Sequence, residues 1–288
     1  MNSLAAGAGP AKTKDERWYS DWQDAEHAAH FDGRSSLPSR MLVRNYESFS
    51  DVRLLNERLA LPDPPTQLLE VGCATGEFYR YLRSKHHGLN YTGVDISRSA
   101  LDRARQKYPQ GRFFASDPDA SLRQNLERLR LPARWEIVYS KDVLHHQTDP
   151  YGFLTQLLEA SSRCLILRTR TRDRGPSVLD AELSCQYHYR GWMPYLVFNL
   201  DELVDRIRQR APEAEILVSR SHQVLGGVEN RFLPKECYLP ETGTAETAVG
   251  VFLQTDRPRQ LRVLDRKDGQ PRHPIGDRVL LRLRRLFE

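Results

Sequence analysis

Between residues 67 and 168 the chain alternates short apolar runs with stretches whose apolar side chains recur every three or four positions. The apolar runs lie at 68–71, 91–94, 112–115, 135–140 and 164–168. Helical periodicity fills the gaps, through Phe78, Tyr81 and Leu82 in the first and then over 97–108, 122–129 and 153–160. A strand followed by a helix and another strand returns by a right-handed crossover, so the two strands run parallel. Repetition of that unit predicts an α/β fold, doubly wound around a mostly parallel seven-stranded sheet. Two later runs, 215–219 and 248–254, have no helical pattern between them, only a long connection with Gly226, Gly227, Pro234, Pro240 and Gly243. They are expected to close the sheet as an antiparallel C-terminal hairpin.

The flanks obey a different rhythm. Residues 1–17 read as a flexible lead-in, and 18–65 as an N-terminal helical cap in which Trp18, Tyr19, Trp22, Phe31, Tyr46 and Phe49 precede the series Val52, Leu55, Leu59. Pro62, Pro64 and Pro65 end the cap, because proline lacks an amide donor and pushes the residue before it out of the helical region. The domain proper is expected over 66–255. Within it, 168–200 breaks the alternation with Tyr187, Tyr189, Trp192, Tyr195 and Phe198 before a capped helix begins at Asn199 or Asp201. An insertion of that length is assigned as a lid over the substrate. Residues 256–288 form a basic tail, with ten Arg or Lys against five Asp or Glu. Its last segment predicts an amphipathic helix carrying Val279, Leu280, Leu283, Leu286 and Phe287 on one face, docked on its own domain or on a partner subunit.

Apolar content of 39% is enough for a buried core. No apolar run approaches the roughly 18 residues of a membrane span, and the lead-in has no signal-peptide core, so a cytoplasmic location is expected. The four cysteines, Cys73, Cys164, Cys185 and Cys237, show neither CxxC nor a Cys/His spacing suited to zinc. Reduced thiols and no metal are the expectation. A net charge of +5 arises from 43 basic residues interleaved with 38 acidic ones, which says little about a nucleic-acid partner.

Chemistry concentrates at LLEVGCATGEF, residues 68–78, where an apolar strand and Glu70 lead into Gly72 and Gly76 at the start of a helix. Glycines allow a backbone to pass close to a ligand, and a helix start offers unpaired amides. Asp95 follows at the end of the second strand, where a carboxylate can accept from both hydroxyls of a ribose. Asp117, after the third strand, lies within reach of an adenine edge. Dinucleotide binding would use a similar acid, but its Gly-x-Gly-x-x-Gly turn is missing because residue 74 is alanine.

With Glu70, Gly72, Gly76 and Asp95 the chain resembles the class I S-adenosylmethionine (SAM)-dependent methyltransferases of small-molecule type. The resemblance covers roughly 68–167 and includes VYSKDVLHHQTDP after the fourth strand. It implies that SAM is the cofactor, that the glycine turn meets its methionine part, and that Asp95 meets the ribose. Ile96 would lie against adenine and Asp117 near the adenine amine. Ser140, at the end of the fourth strand, is assigned to the same cofactor site. The Pro-Gly-Gly turn common before the fifth strand is replaced here by Ser161, Ser162 and Arg163.

Methyl transfer asks the protein to position a nucleophile and, where needed, to remove its proton. His146 and His145 leave the carboxyl end of the fourth strand and are the candidate bases, titrating near neutrality; the alternative is that they pack or cap the helix after Asp149. Arg168, Arg170 and Arg172 alternate with threonines, so an extended chain places them on one side, where Arg168 and Arg170 are candidates for a substrate phosphate or carboxylate. Trp192 and Tyr195 are candidate apolar walls for the acceptor. Nucleic-acid base methylation is disfavoured, because no Asn or Asp precedes a Pro-Pro-aromatic sequence. The expectation is O-methylation of a small molecule or glycan precursor. Two alternatives stay open, an RNA-modifying methyltransferase and a non-catalytic SAM-fold partner subunit, and oligomeric state is undetermined.

Overall fold

A computed structural model describes Trp22, Ala28, Ala29 and residues 38–188, 191–226 and 230–266. Two cap helices, α1 (Ser39–Ser48) and α2 (Ser50–Leu59), precede the first strand, β1 (Gln67–Val71). Successive side chains of a strand point to opposite faces, and β1 uses both: Leu68 enters one core, Leu69 and Val71 the other. The crossover units follow as α3 (Glu77–Lys85), β2 (Asn90–Asp95), α4 (Arg98–Lys107), β3 (Phe113–Ala115), α5 (Leu122–Arg128), β4 (Trp135–Lys141), α6 (Pro150–Ala160) and β5 (Ser161–Arg172). One core gathers Leu68, Ile137, Tyr139 and Ile166 with Leu55 of the cap and Phe78 and Leu82 of α3. The other gathers Leu69, Val138, Leu165 and Leu167 with Leu126 of α5 and Leu154 and Leu157 of α6. Burial of each such side chain is worth roughly 1.5–3 kcal/mol, which fixes the strands in register.

Short polar side chains set the helix starts. Ser97 accepts from the Ala100 amide at 3.3 Å, Ser121 and Gln124 form a reciprocal capping box, and Asp149 accepts from Gly152 ahead of Pro150 at the first helical position. Asn199 caps α7 (Leu200–Arg210), accepting from Glu202 at 3.1 Å. These bonds satisfy amides that have no partner within the helix.

After β5 come β6 (Cys185–His188), β7 (Gly191–Pro194), the two-residue β8 (Phe198–Asn199), then α7, β9 (Glu215–His222), β10 (Arg231–Phe232), β11 (Ala245–Phe252) and β12 (Leu261–Arg266). The main sheet runs β12-β9-β11-β5-β4-β1-β2-β3, with β8 paired to the end of β5. Seven of its strands are the expected doubly wound set, and β11 enters antiparallel between β5 and β9 as the closing hairpin requires. Two strands exceed the expectation. β8 pairs with Thr171 and Arg172, and β12 pairs in parallel with β9, Leu261 opposite Ile216. The sheet thus continues past residue 255, where the basic tail was expected to begin; the amphipathic helix expected at 279–287 lies outside the described residues.

The fifth strand is also longer than the run 164–168 that signals it. Ser161, Ser162 and Arg163 join it directly from the end of α6, with the Ser161 hydroxyl donating to Leu157 O at 2.8 Å, and pairing with β11 carries it through Thr171. The insertion supplies β6 and β7 of a second, three-stranded sheet ordered β10-β6-β7, whose β10 comes from the later Gly/Pro-rich connection, and the sheet adjoins a small core of Tyr195, Val197, Leu225, Leu233 and Cys237. All four cysteines are buried, and none forms a disulfide among the described residues. Among the described residues no helix is long and apolar enough to cross a membrane.

Candidate active site

A cavity of about 720 Å³ opens at the carboxyl ends of β1, β2 and β4 and extends beneath the three-stranded sheet. Ligands of open α/β folds bind at this edge. Its first wall is the glycine turn. Gly72 and Gly76 hold φ of +89° and +77°, and Ala74 between them +44°. A Cβ on Gly72 would lie 2.3 Å from Val143 Cγ2, and one on Gly76 2.8 Å from the Phe113 ring. Both glycines are thus required by protein packing as well as by backbone conformation, rather than by close ligand approach alone. The turn is held by Asp95, whose two oxygens accept from the Ala74 amide at 2.7 Å and the Ser97 amide at 2.8 Å. Each oxygen keeps a further lone pair. Burial raises the Asp95 pKa, and these amides oppose the rise.

Glu70 lines the cavity floor. Burial pushes its carboxyl up to about 8, although Tyr91 donates to it at 2.5 Å. Ile96 and Asp117 border the same chamber. Asp117 accepts from the Asp119 amide and pairs with Arg128 at 3.1 Å, and its pKa falls below the usual carboxylate value for those reasons. Ser140 does not reach the cavity: its buried hydroxyl donates to Val71 O at 3.1 Å and ties β4 to β1.

Three features suit this chamber to a nucleoside with a charged amino-acid tail. The Thr75 hydroxyl is buried in the wall without a partner, α3 begins with no side-chain cap, and carboxylates stand at three successive strand ends. Of the residues expected from the sequence to hold SAM, Glu70, Gly72, Asp95, Ile96 and Asp117 border this chamber and Ser140 does not.

The second part of the cavity is built by the histidines and the lid. His145 and His146 form a single 3-10 turn after β4, both buried. His146 Nδ1 lies 2.6 Å from Pro194 O. A carbonyl only accepts, so Nδ1 carries the proton and Nε2 is the basic nitrogen. Burial lowers the pKa of His146 to about 4, with the Pro194 bond opposing the fall and Arg170 adding to it. The His145 pKa is also held well below the ordinary value, by burial and by His146. Both histidines are thus neutral at physiological pH, and titration near neutrality is not what the structure provides. Tyr195 packs its ring against both, at 5.2 Å and 5.9 Å, and Trp22 of the cap lies edge-on to His146 at 5.4 Å.

Arg168 and Arg170 border the cavity but are paired with acids of their own sheet. Arg168 donates to Asp142 at 3.0 Å and Arg170 at 2.9 Å; Arg170 also meets Glu246 at 3.2 Å and donates to the Tyr195 hydroxyl at 2.8 Å. Burial acts to raise the Asp142 pKa, yet the two guanidiniums hold it well below the ordinary value. Arg172, on the same side of the strand, turns away to donate to Pro176 O at 2.8 Å. Trp192 stands outside the cavity, its ring tilted against Tyr187 and Phe232 at 5.2 Å and 5.1 Å. The sequence reading missed Thr75, Gln186, Met193 and Arg231, all of which face the cavity. The helix-start position of Thr75 was a usable signal; the other three sit in the insertion and the Gly/Pro-rich connection, where no periodicity points inward.

A doubly wound sheet with a glycine turn and an acid at each of three strand ends defines the class I methyltransferase fold. Residues 69–163 match the family model described as a methyltransferase domain, about a third of the 288 residues. That segment is accordingly similar to the methyltransferase domains of that family. No curated protein matches the chain. Among solved structures, the O-methyltransferase of a trans-AT PKS multienzyme from Brevibacillus brevis, in complex with S-adenosyl-L-homocysteine, shares the fold. It has 10% identity and a TM-score of 0.51, with 78% of each chain covered. The Burkholderia thailandensis 1,6-didemethyltoxoflavin-N1-methyltransferase is similar at 17% identity and a TM-score of 0.48, covering 87% of this chain and 94% of the other. Magnesium protoporphyrin IX methyltransferase from Synechocystis PCC 6803 gives 14% identity, a TM-score of 0.48, and coverage of 85% and 100%.

Proposed function

We propose that this protein transfers the methyl group of SAM to an oxygen of a small molecule or glycan precursor, with His146 as the general base. The observation that carries this reading is the continuity of one cavity from the glycine turn and Asp95 to the unprotonated Nε2 of His146. SAM supplies a methyl group already activated on sulfur. The chain's residues supply the rest: Glu70, Asp95 and the first-turn amides of α3 hold the donor, while Tyr195 and Met193 hold the body of the acceptor. His146 Nε2 receives the hydroxyl proton. A base with a pKa near 4 gives little equilibrium driving force, but it is unprotonated across the physiological range and needs to accept the proton only as the oxygen–carbon bond forms.

Similar folds carry N- and O-methyltransferases alike, so the choice of oxygen rests on the histidine. The recessed position of the histidines and the pairing of Arg168 and Arg170 with internal acids favour a small acceptor over RNA. Labelled methyl from SAM offered to matched phenol and aniline pairs tests this reading. Label is expected in the hydroxyl partner, and label only in the amines would overturn the oxygen assignment.

A further inference from the structure

Resting on the methyltransferase reading, we infer that the acceptor carries a carboxylate or phosphate, received by Arg231, and that this residue rather than Arg168 or Arg170 selects the substrate. The charge count at the acceptor end leads there. Arg168 and Arg170 are matched by Asp51, Asp142 and Glu246, two cations against three anions within one buried cluster. Arg231 has no carboxylate partner among the described residues. Its guanidinium makes two long bonds, to Gln186 Oε1 at 3.4 Å and to Leu225 O at 3.3 Å, out of five available N–H donors. The remaining donors belong to a cation that lines the cavity.

The aromatic platform beneath it sets the geometry. Arg231 Cζ sits 4.6 Å from the centroid of the Tyr195 ring, and the His146 ring is 5.9 Å from the same centroid. Guanidinium and imidazole centres are therefore no farther apart than the sum of those two distances. An anion held by Arg231 and a hydroxyl held by His146 are thus within the reach of one small molecule lying over Tyr195 and Met193. A planar fork of donors matches a carboxylate or phosphate in two-point contact. An ammonium in its place keeps the charge but loses the fork.

The test uses the full-length protein saturated with S-adenosylhomocysteine and three probes of one shape: benzoate, phenyl phosphate and neutral benzamide. Calorimetry is expected to show at least one anion binding tenfold or more tighter than benzamide. Arg231→Met should abolish that preference and Arg231→Lys should retain part of it, while S-adenosylhomocysteine affinity stays the same in both. The better of the two anions identifies carboxylate or phosphate as the group recognised. Equal binding of anion and amide, no anion binding at all, or a preference that survives Arg231→Met overturns the inference. Failure of the wild-type protein to bind S-adenosylhomocysteine would instead overturn the methyltransferase reading beneath it.

Discussion

Asp95 holds the glycine turn with one carboxylate oxygen and the start of α4 with the other, and it is also the acid that the ribose of SAM would meet. Asp95→Ala is therefore expected to weaken SAM binding at least tenfold, since charge-assisted hydrogen bonds of roughly 1.5–3 kcal/mol are lost, and to lower the melting temperature as well. Calorimetry on the folded variant decides; unchanged affinity would remove Asp95 from the site. His146 makes a separate contribution. His146→Ala should lower kcat by roughly 10² to 10⁴ with SAM affinity preserved, and because its pKa is about 4, the wild-type rate should show no limb from this group between pH 6 and 8. A near wild-type kcat in the variant would leave positioning alone as the catalytic device. Glu70 is a third case, in which the sign follows from proton binding. Its carboxyl titrates near 8 when folded and near 4.5 in the reference state, so the folded form binds the extra proton. Its stabilising contribution is complete below about pH 4.5 and is lost as pH rises to about 8, by at most about 5 kcal/mol. Glu70→Gln should flatten that fall in urea melts taken from pH 5 to 9, and parallel curves for the two proteins would show that Glu70 is not the group responsible.

The glycine turn shows how an element fixes its own residues. Gly72→Ala meets two penalties, a left-handed backbone and a Cβ placed 2.3 Å from Val143, each about 1–3 kcal/mol. Adding Val143→Ala should recover only the second part in denaturant melts; full recovery would mean that the backbone conformation costs nothing. Elements of this kind were legible in the sequence because local chemistry dictates them. Apolar runs alternate with helical patterns, Ser97, Ser121, Asp149 and Asn199 cap helices, and acids follow strands. What was hidden depends on partners distant in the chain. The extension of β5 to Arg172 is stabilised by β11 and β8, and Arg168 and Arg170 read as free cations until Glu246 is brought beside them. Ser140 has the right place in the sequence for a ligand but the wrong direction, inward to Val71. Arg231 follows a stretch with no period to say which way it faces.

For the whole molecule, the far edge of the sheet is farthest from the chemistry. Deleting 256–288 removes β12 and leaves β9 as an exposed edge strand, so the melting temperature should fall by a few degrees while SAM affinity is kept, because the described cofactor contacts end before β5. Loss of affinity in a truncated protein that still folds would show that the C-terminal region supports the cofactor site; an unchanged melting temperature would show that β12 adds no stability. The lid, by contrast, is a sheet whose strands hydrogen-bond among themselves and not to the main sheet, and it brings Gln186, Met193 and Arg231 to the cavity while the glycine turn and Asp95 belong to the larger layer. In the proposed reading, Gln186, Met193 and Arg231 meet the acceptor from the smaller sheet, while the donor is held by the larger one. A homologous three-stranded lid grafted onto this core should redirect the enzyme to a new alcohol or acid without any retuning of the donor half, which makes the insertion the natural unit for diversification and for engineering.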